Sequence, residues 1–312
     1  MRPTLPLTLL ALSLAACAHA PAQGEAPVAK APTTQEVIDA STPADWRPLD
    51  PENTVYMQLP SGMVVMELAP AFAPEHTANI RALVKGRYFD GLSINRSHDN
   101  FVVQWGDPAG DELALRRPLG EARESLPAEF SRAAEGLDFH ALPDPDGWAP
   151  EVGFVDGFAA ARDPKAGKAW LAHCYGTVGA GRAMAPDSSN GSELYVVTGQ
   201  APRQLDLNIT TVGRVVVGME RLSVMPRGSG PLGFYTEASQ RVPILAVRLA
   251  SEIPQDQRAQ IEVMRTDTAT WDAYVESRRN RRDEWYLHPA GHIDVCNLSV
   301  PVRPIPKPAT AG

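Results

Sequence analysis

The chain has 312 residues, 44% apolar and 21% charged, the balance of a soluble globular protein long enough to bury one large core or two modest ones. A formal net charge of −8 argues against broad nucleic-acid binding, which needs a basic footprint. Prolines outnumber glycines, 29 to 24, and each proline removes a backbone donor and blocks a helix interior. A fold of long helices is therefore excluded, and strands, loops and a few short helices are expected.

The first residues, MRPTLPLTLLALSLAACAHA, read as an export signal. Arg2 is the positive start, Leu5 to Leu14 the apolar run, and small residues follow. The run is too short and too rich in Ala and Ser for a spanning helix. Leu14-Ala15-Ala16-Cys17 resembles a bacterial lipobox, in which Cys17 is lipidated and becomes the new N-terminus. Ala18 in place of aspartate favours the outer membrane under the sorting rules of such proteins. The expectation is a periplasm-facing protein of the bacterial cell envelope, at the membrane by its lipid anchor only. Residues 18–45 are rich in Ala, Pro, Thr and Gln, and are expected to be an extended, disordered tether.

The globular part opens near Trp46. Val55 to Leu59 and Met63 to Leu68 alternate around Pro60-Ser61-Gly62, which predicts a hairpin. Pro74 and Glu75 suit a helix start, Ile80, Leu83 and Val84 its apolar stripe, and Gly86 its end. Residues 131–172, with Pro143, Pro145 and Pro150, read as an inserted loop with short strands. Strands are expected over Thr177–Ala183, Glu193–Thr198, Thr211–Val217 and Val242–Leu249, and a short helix over Gly218–Met225. After residue 250, Ile261, Met264, Trp271, Tyr274 and Val275 recur at helical spacing, so 251–312 reads as a helical extension. It carries a further strand over Ile293–Val300 and a proline-rich tail. Apart from Cys17 the chain holds Cys174 and Cys296, which are either bridged in an oxidising compartment or two separate buried thiols.

Few motifs carry chemistry. Gly176 to Gly181 has the wrong spacing for a nucleotide loop and reads as a closely packed strand. His288 and His292 are separated by Pro289 and Gly291, so no helix presents them together to a metal. Asp144, Asp146 and Gly147 read as an acidic surface loop, and Arg278 to Arg282 as a solvated helix face. No G-x-S-x-G elbow is present. Any chemistry is expected to proceed without metal, cofactor or covalent intermediate.

Tyr88-Phe89-Asp90-Gly91, Asn95-Arg96, Phe101-Val102-Val103-Gln104 and Gly106-Asp107 together resemble the core motif of cyclophilins, the peptidyl-prolyl cis-trans isomerases. Pro127 to Phe130, Asn190-Gly191-Ser192-Glu193-Leu194-Tyr195, Leu205-Asp206, Val212 to Val216 and Gly218-Met219 follow in the family's order, from about 54 to 250 apart from the insertion. The resemblance implies a mainly β fold, an eight-stranded closed antiparallel barrel capped by two helices. It implies action on proline-containing polypeptides. Rotation about an X-Pro bond is opposed by a barrier of about 18–20 kcal/mol from amide resonance. A fixed donor aimed at the prolyl nitrogen favours the twisted amide over either planar form. Arg96 is the implied donor, Gln104 its partner or the holder of the substrate carbonyl, and Phe101, Val102, Glu193, Tyr195 and Leu205 the pocket. Asn95 stands where the family has histidine, Trp105 where it has glycine, and Glu193 where it has glutamine. Gln204 replaces a tryptophan that supports cyclosporin binding, which implies weak sensitivity to that ligand, and Ile209 replaces a histidine. Two functions follow: an isomerase of envelope proteins, or a catalytically weak or inactive module that binds proline-containing partners.

Overall fold

The structure is a computed structural model that describes residues 31–110, 112 and 114–306. Cys17 and the first part of the expected tether lie outside the described residues. The rest of that tether is ordered. Residues 34–39 form helix α1 (Thr34–Asp39), closed at its start by a reciprocal Thr33–Glu36 capping box. Val37 on this helix is buried, which gives the segment an apolar anchor that its polar composition hid.

The fold is mainly β with few helices. Its largest sheet has nine antiparallel strands and curls strongly into a half-barrel. Its order is 242–243, 93–97, 102–106, 194–197, 177–180, 211–217, 62–68, 54–59 and 246–249. The expected hairpin is present, with Leu59 paired to Gly62 at the turn, where Gly62 takes φ +128°. Met57, Leu59, Val64, Ile94, Val103, Trp105, Val196 and Leu249 fill the concave side. Helix α2 (Pro74–Lys85) adds Ile80, Leu83 and Val84 to the same core. Its N-cap, Ala73, offers no side-chain cap. Glu129 substitutes, its carboxylate accepting the N–H groups of Glu75 and His76 at 2.9 Å each. Helix α3 (Met219–Ser223) lies within the range expected for it. The single strand expected over 242–249 is broken into two pieces.

The insertion is more than a loop. It forms a five-stranded antiparallel sheet of residues 132–133, 168–171, 158–163, 151–155 and 140–141. Two expectations for the extension also change. Ile261 and Met264 belong to a strand, Ile261–Met264, which pairs with Trp46–Pro48 and with Val302–Pro304. Helix α4 (Ala269–Arg279) starts only after Thr268, whose hydroxyl accepts the Trp271 N–H. The spacing of residues 261 and 264 matched a helix by coincidence, and Thr266 to Thr268 supply turn and cap chemistry between the two elements. Ile293–Val300 is not a strand. It contains a 3-10 turn, Val295–Asn297, begun by the Asp294 side chain accepting the Cys296 N–H.

Insertion, extension and the segment before residue 49 share a second core, built from Val37, Trp46, Phe154, Trp170, Trp271 and Leu298 among others. Cys174 and Cys296 are disulfide-bonded across 122 residues of sequence. Asp144, expected on an acidic surface, is 8% exposed and pairs with Arg279 of α4 at 2.8 Å. Glu67 on strand 62–68 receives Arg47 at 2.7 Å and Arg214 at 2.8 Å. Those arginines also donate to the backbone carbonyls of Asp156 and Gly157, so one buried carboxylate joins the large sheet to the insertion.

Candidate functional site

Strands Ser93–Ser97 and Val102–Gly106 pair antiparallel with a register shift between Ile94 and Arg96. The shift decides where Arg96 points. Residues two apart on a regular strand share a face, and Ile94 is fully buried in the core. The extra residue, Asn95, turns the strand so that Arg96 leaves the core and lies opposite Gln104. Asn95 is itself buried, and its carbonyl accepts the Tyr235 N–H at 3.0 Å. Trp105, opposite Ile94, is 1% exposed and fills the core, so the departure from glycine here serves packing.

Gln104 lies opposite Tyr195, and Tyr195 opposite Gly179. Arg96, Gln104, Tyr195 and Gly179 thus make one cross-strand row. Arg96 Nη1 donates to Gln104 Oε1 at 2.8 Å, and Gln104 Nε2 donates to Glu193 Oε1 at 2.7 Å. The amide bridges guanidinium and carboxylate. Arg96 Nε donates to the Leu232 carbonyl at 2.7 Å, and Nη2 meets His98 Nδ1 at 3.2 Å. Three of its five N–H groups are engaged in this way. Partial burial lowers the pKa of Arg96, opposed by the nearby Glu193 carboxylate. Its charge persists because guanidinium starts far above neutral pH.

Beside this cation lies an apolar wall of Val102, Tyr195 and Val197, with Phe101 and Ile209 packed against it. Ile209, a departure from the family pattern, is part of the wall. Leu205, expected in the pocket, lies outside that cluster at the end of a 3-10 turn, Arg203–Leu205. Tyr195 lies across Gly179, where any Cβ would come within 2.2 Å of the phenol oxygen.

The tyrosine hydroxyl reaches His173 Nε2 at 2.9 Å, a ring that is itself buried. His173 Nδ1 meets Asp206 Oδ1 at 2.8 Å, and Arg203 donates to Asp206 Oδ2 at 2.7 Å. The Asp206 carboxylate accepts a hydrogen bond from Nδ1–H, which leaves Nε2 to accept from the phenol. Burial raises the Tyr195 pKa far above its ordinary value, so the hydroxyl keeps its proton. Trp170 Nε1 reaches Asp206 Oδ2 at 3.2 Å, and Arg203 pairs with Asp146 at 3.0 Å. Both Trp170 and Asp146 belong to the insertion, so that segment backs the wall through this array. Sequence reasoning missed His173 and Asp146 as contributors, and also His98 and Leu232. A lone histidine in Ala-His-Cys carries no signal, since its partners come from distant segments.

A model of the cyclophilin type peptidyl-prolyl cis-trans isomerase family matches residues 54–248. A probable peptidyl-prolyl cis-trans isomerase of Brucella suis is 31% identical over 186 residues, covering 58% of this chain and 74% of its own length. The human peptidyl-prolyl cis-trans isomerase-like 1 is 32% identical over 71 residues, 23% of this chain and 40% of its own. The crystal structure of a cyclophilin from Hirschia baltica superposes with a TM-score of 0.68 at 25% identity, covering 87% of this chain and 97% of that one.

Proposed function

Because the chain belongs to the cyclophilin-type peptidyl-prolyl cis-trans isomerase family, we propose that Arg96 is the group with which it isomerises X-Pro bonds, and that its clients are proteins of the bacterial cell envelope. The proline ring rests on Phe101, Val102 and Tyr195. Arg96 directs a donor at the prolyl nitrogen, which regains its lone pair as the amide twists. Gln104 positions the guanidinium and holds the carbonyl of the residue before proline. No bond is made or broken, so a donor that favours the twisted amide over both planar forms is sufficient.

The observation that carries this reading is the cross-strand row in which Gln104 braces Arg96 beside the apolar wall. Closure of the large sheet into a barrel is part of the reading. Its support is that Ile244 N–H donates to the Leu92 carbonyl and Leu245 N–H to the Gln58 carbonyl, from opposite ends of the strand order. Anchoring by a lipid on Cys17, facing the periplasm from the outer membrane, rests on the lipobox-like sequence. The Cys174–Cys296 disulfide fits an oxidising compartment of that kind.

A proline-peptide isomerisation assay on the soluble domain tests the chemistry. Arg96→Ala should lower kcat/KM about 10²- to 10³-fold, the usual effect of removing one preorganised donor. Wild type and variant both running at the uncatalysed rate would leave only a proline-binding module. Incorporation of a labelled lipid precursor, lost in Cys17→Ser, tests the anchor, and an unlabelled wild type rejects it.

A further inference from the structure

Arg96 has a second aromatic neighbour that the proline pocket does not use. The Phe234 ring centroid lies 5.2 Å from the guanidinium carbon, and that of Phe101 lies 5.7 Å away. The cation therefore contacts rings from two separate elements. On one edge of its strand Arg96 pairs with Gln104, and on the other it forms an isolated antiparallel bridge with Phe234. The two edges differ in chemistry. Gln104 and Glu193 make the first polar, whereas Leu232 and Phe234 make the second apolar.

Residues 228–234 are held tightly on strand Ser93–Ser97. Gly228 N–H donates to the Ser97 carbonyl at 2.9 Å, and Gly230 N–H to the Phe234 carbonyl at 3.0 Å. Gly233, at φ +80°, runs so close to the strand that a Cβ would fall 2.6 Å from His98 Cα. Leu232 takes the left-handed region at φ +56°, which is costly for a branched side chain and needs support from its surroundings. The result is a held turn with Leu232 66% exposed and Phe234 38% exposed beside the cation. The built turn thus keeps two large apolar side chains partly in water, side by side with a charged group.

We propose that Leu232 and Phe234 form an apolar subsite for the residue that follows proline, and that the protein prefers substrates with a bulky apolar or aromatic side chain there. The inference rests on the reading of Arg96 as the group that faces the prolyl nitrogen. Its direction follows from the strand edges. Gln104 holds the carbonyl before proline on the polar edge, so the chain that leaves the proline runs along the opposite edge, over Leu232 and Phe234.

Two peptides identical except for Phe or Gly after the proline supply the test, with isomerisation and equilibrium binding measured on each. Wild type should favour the Phe peptide about tenfold in kcat/KM, mostly through KM, the discrimination typical of one apolar contact. Phe234→Ala and Leu232→Asn should each reduce that ratio to about twofold or less, asparagine being chosen because it tolerates the left-handed backbone. Phe234→Leu should keep most of the preference. An unchanged ratio in both variants overturns the subsite, whether or not the two peptides slow together. If wild type binds the peptides without isomerising them, the catalytic reading fails, while the ratio of dissociation constants still decides the subsite.

Discussion

Removing the Cys174–Cys296 bond tests how the extension is held to the rest of the molecule. The bond closes a loop of 122 residues, from Cys174 just before strand Thr177–Ala180 to the 3-10 turn of the extension. The chain-entropy relation for a loop of that length puts its contribution at about 5 kcal/mol at 25 °C. At roughly 2 °C per kcal/mol for a domain of this size, the midpoint of thermal unfolding should fall by about 10 °C. The perturbation is best made twice: as Cys174→Ala/Cys296→Ala, and as reduction of the wild-type protein, which leaves every side chain in place. Cys174 lies in the second core, so the double variant also loses packing and should be the less stable of the two. Urea denaturation of both, against the oxidised protein, gives the difference. A loss of less than about 1 kcal/mol in both would refute the loop-closure reasoning. Two free thiols in the non-reduced mature domain would refute the bond itself.

Tyr195→Phe keeps the ring of the apolar wall but leaves His173 Nε2 without its phenol at a position 1% exposed. It should cost about 1–3 kcal/mol of stability, with KM for a proline peptide changed less than about threefold. Unchanged stability would show that the hydrogen bond contributes nothing. Acid should unfold the protein through its buried carboxylates. Burial pushes Glu67 and Asp206 up, but Arg214 and Arg47 around Glu67, and the His173 hydrogen bond and Arg203 charge at Asp206, outweigh it and hold both below their ordinary values. A depressed folded pKa gives stabilisation that is complete above the unfolded value, about 4, and lost as pH falls through the folded one. Denaturation midpoints should therefore be flat above about pH 5 and fall below about pH 4. Asp206→Asn should flatten that acid limb, and an acid limb parallel to wild type would count against the array.

The large sheet was legible in the residues because its evidence is local. Alternation at 55–59 and 63–68, the Gly62 turn and the helix start at Pro74 each depend on neighbours a few positions away. Arg96 and Gln104 were legible through an ordered motif, and their contact is direct because antiparallel pairing brings positions 96 and 104 opposite one another. The insertion and extension were harder to read. Ile261 and Met264 fit a helix by spacing, yet they pair with Trp46–Pro48 and Val302–Pro304, and those partners lie too far along the chain to be inferred. Asp144 looked like a surface acid because its partner, Arg279, is 135 residues away.

By itself the sequence determined a mainly β fold, the order of the family motif and the pair of residues at the centre of the candidate site. Local patterning is sufficient for these, since strand period, turn residues and motif order do not depend on long-range contacts. Only the tertiary structure decided the surroundings of that pair. The bulge at Asn95 turns Arg96 out of the core, Gln104 joins it to Glu193, and residues 228–234 bring Phe234 to its other edge. His173, Asp206 and the insertion back the wall at Tyr195. Each of these contacts joins segments brought together only when the sheets form, so no local pattern in the chain encodes it.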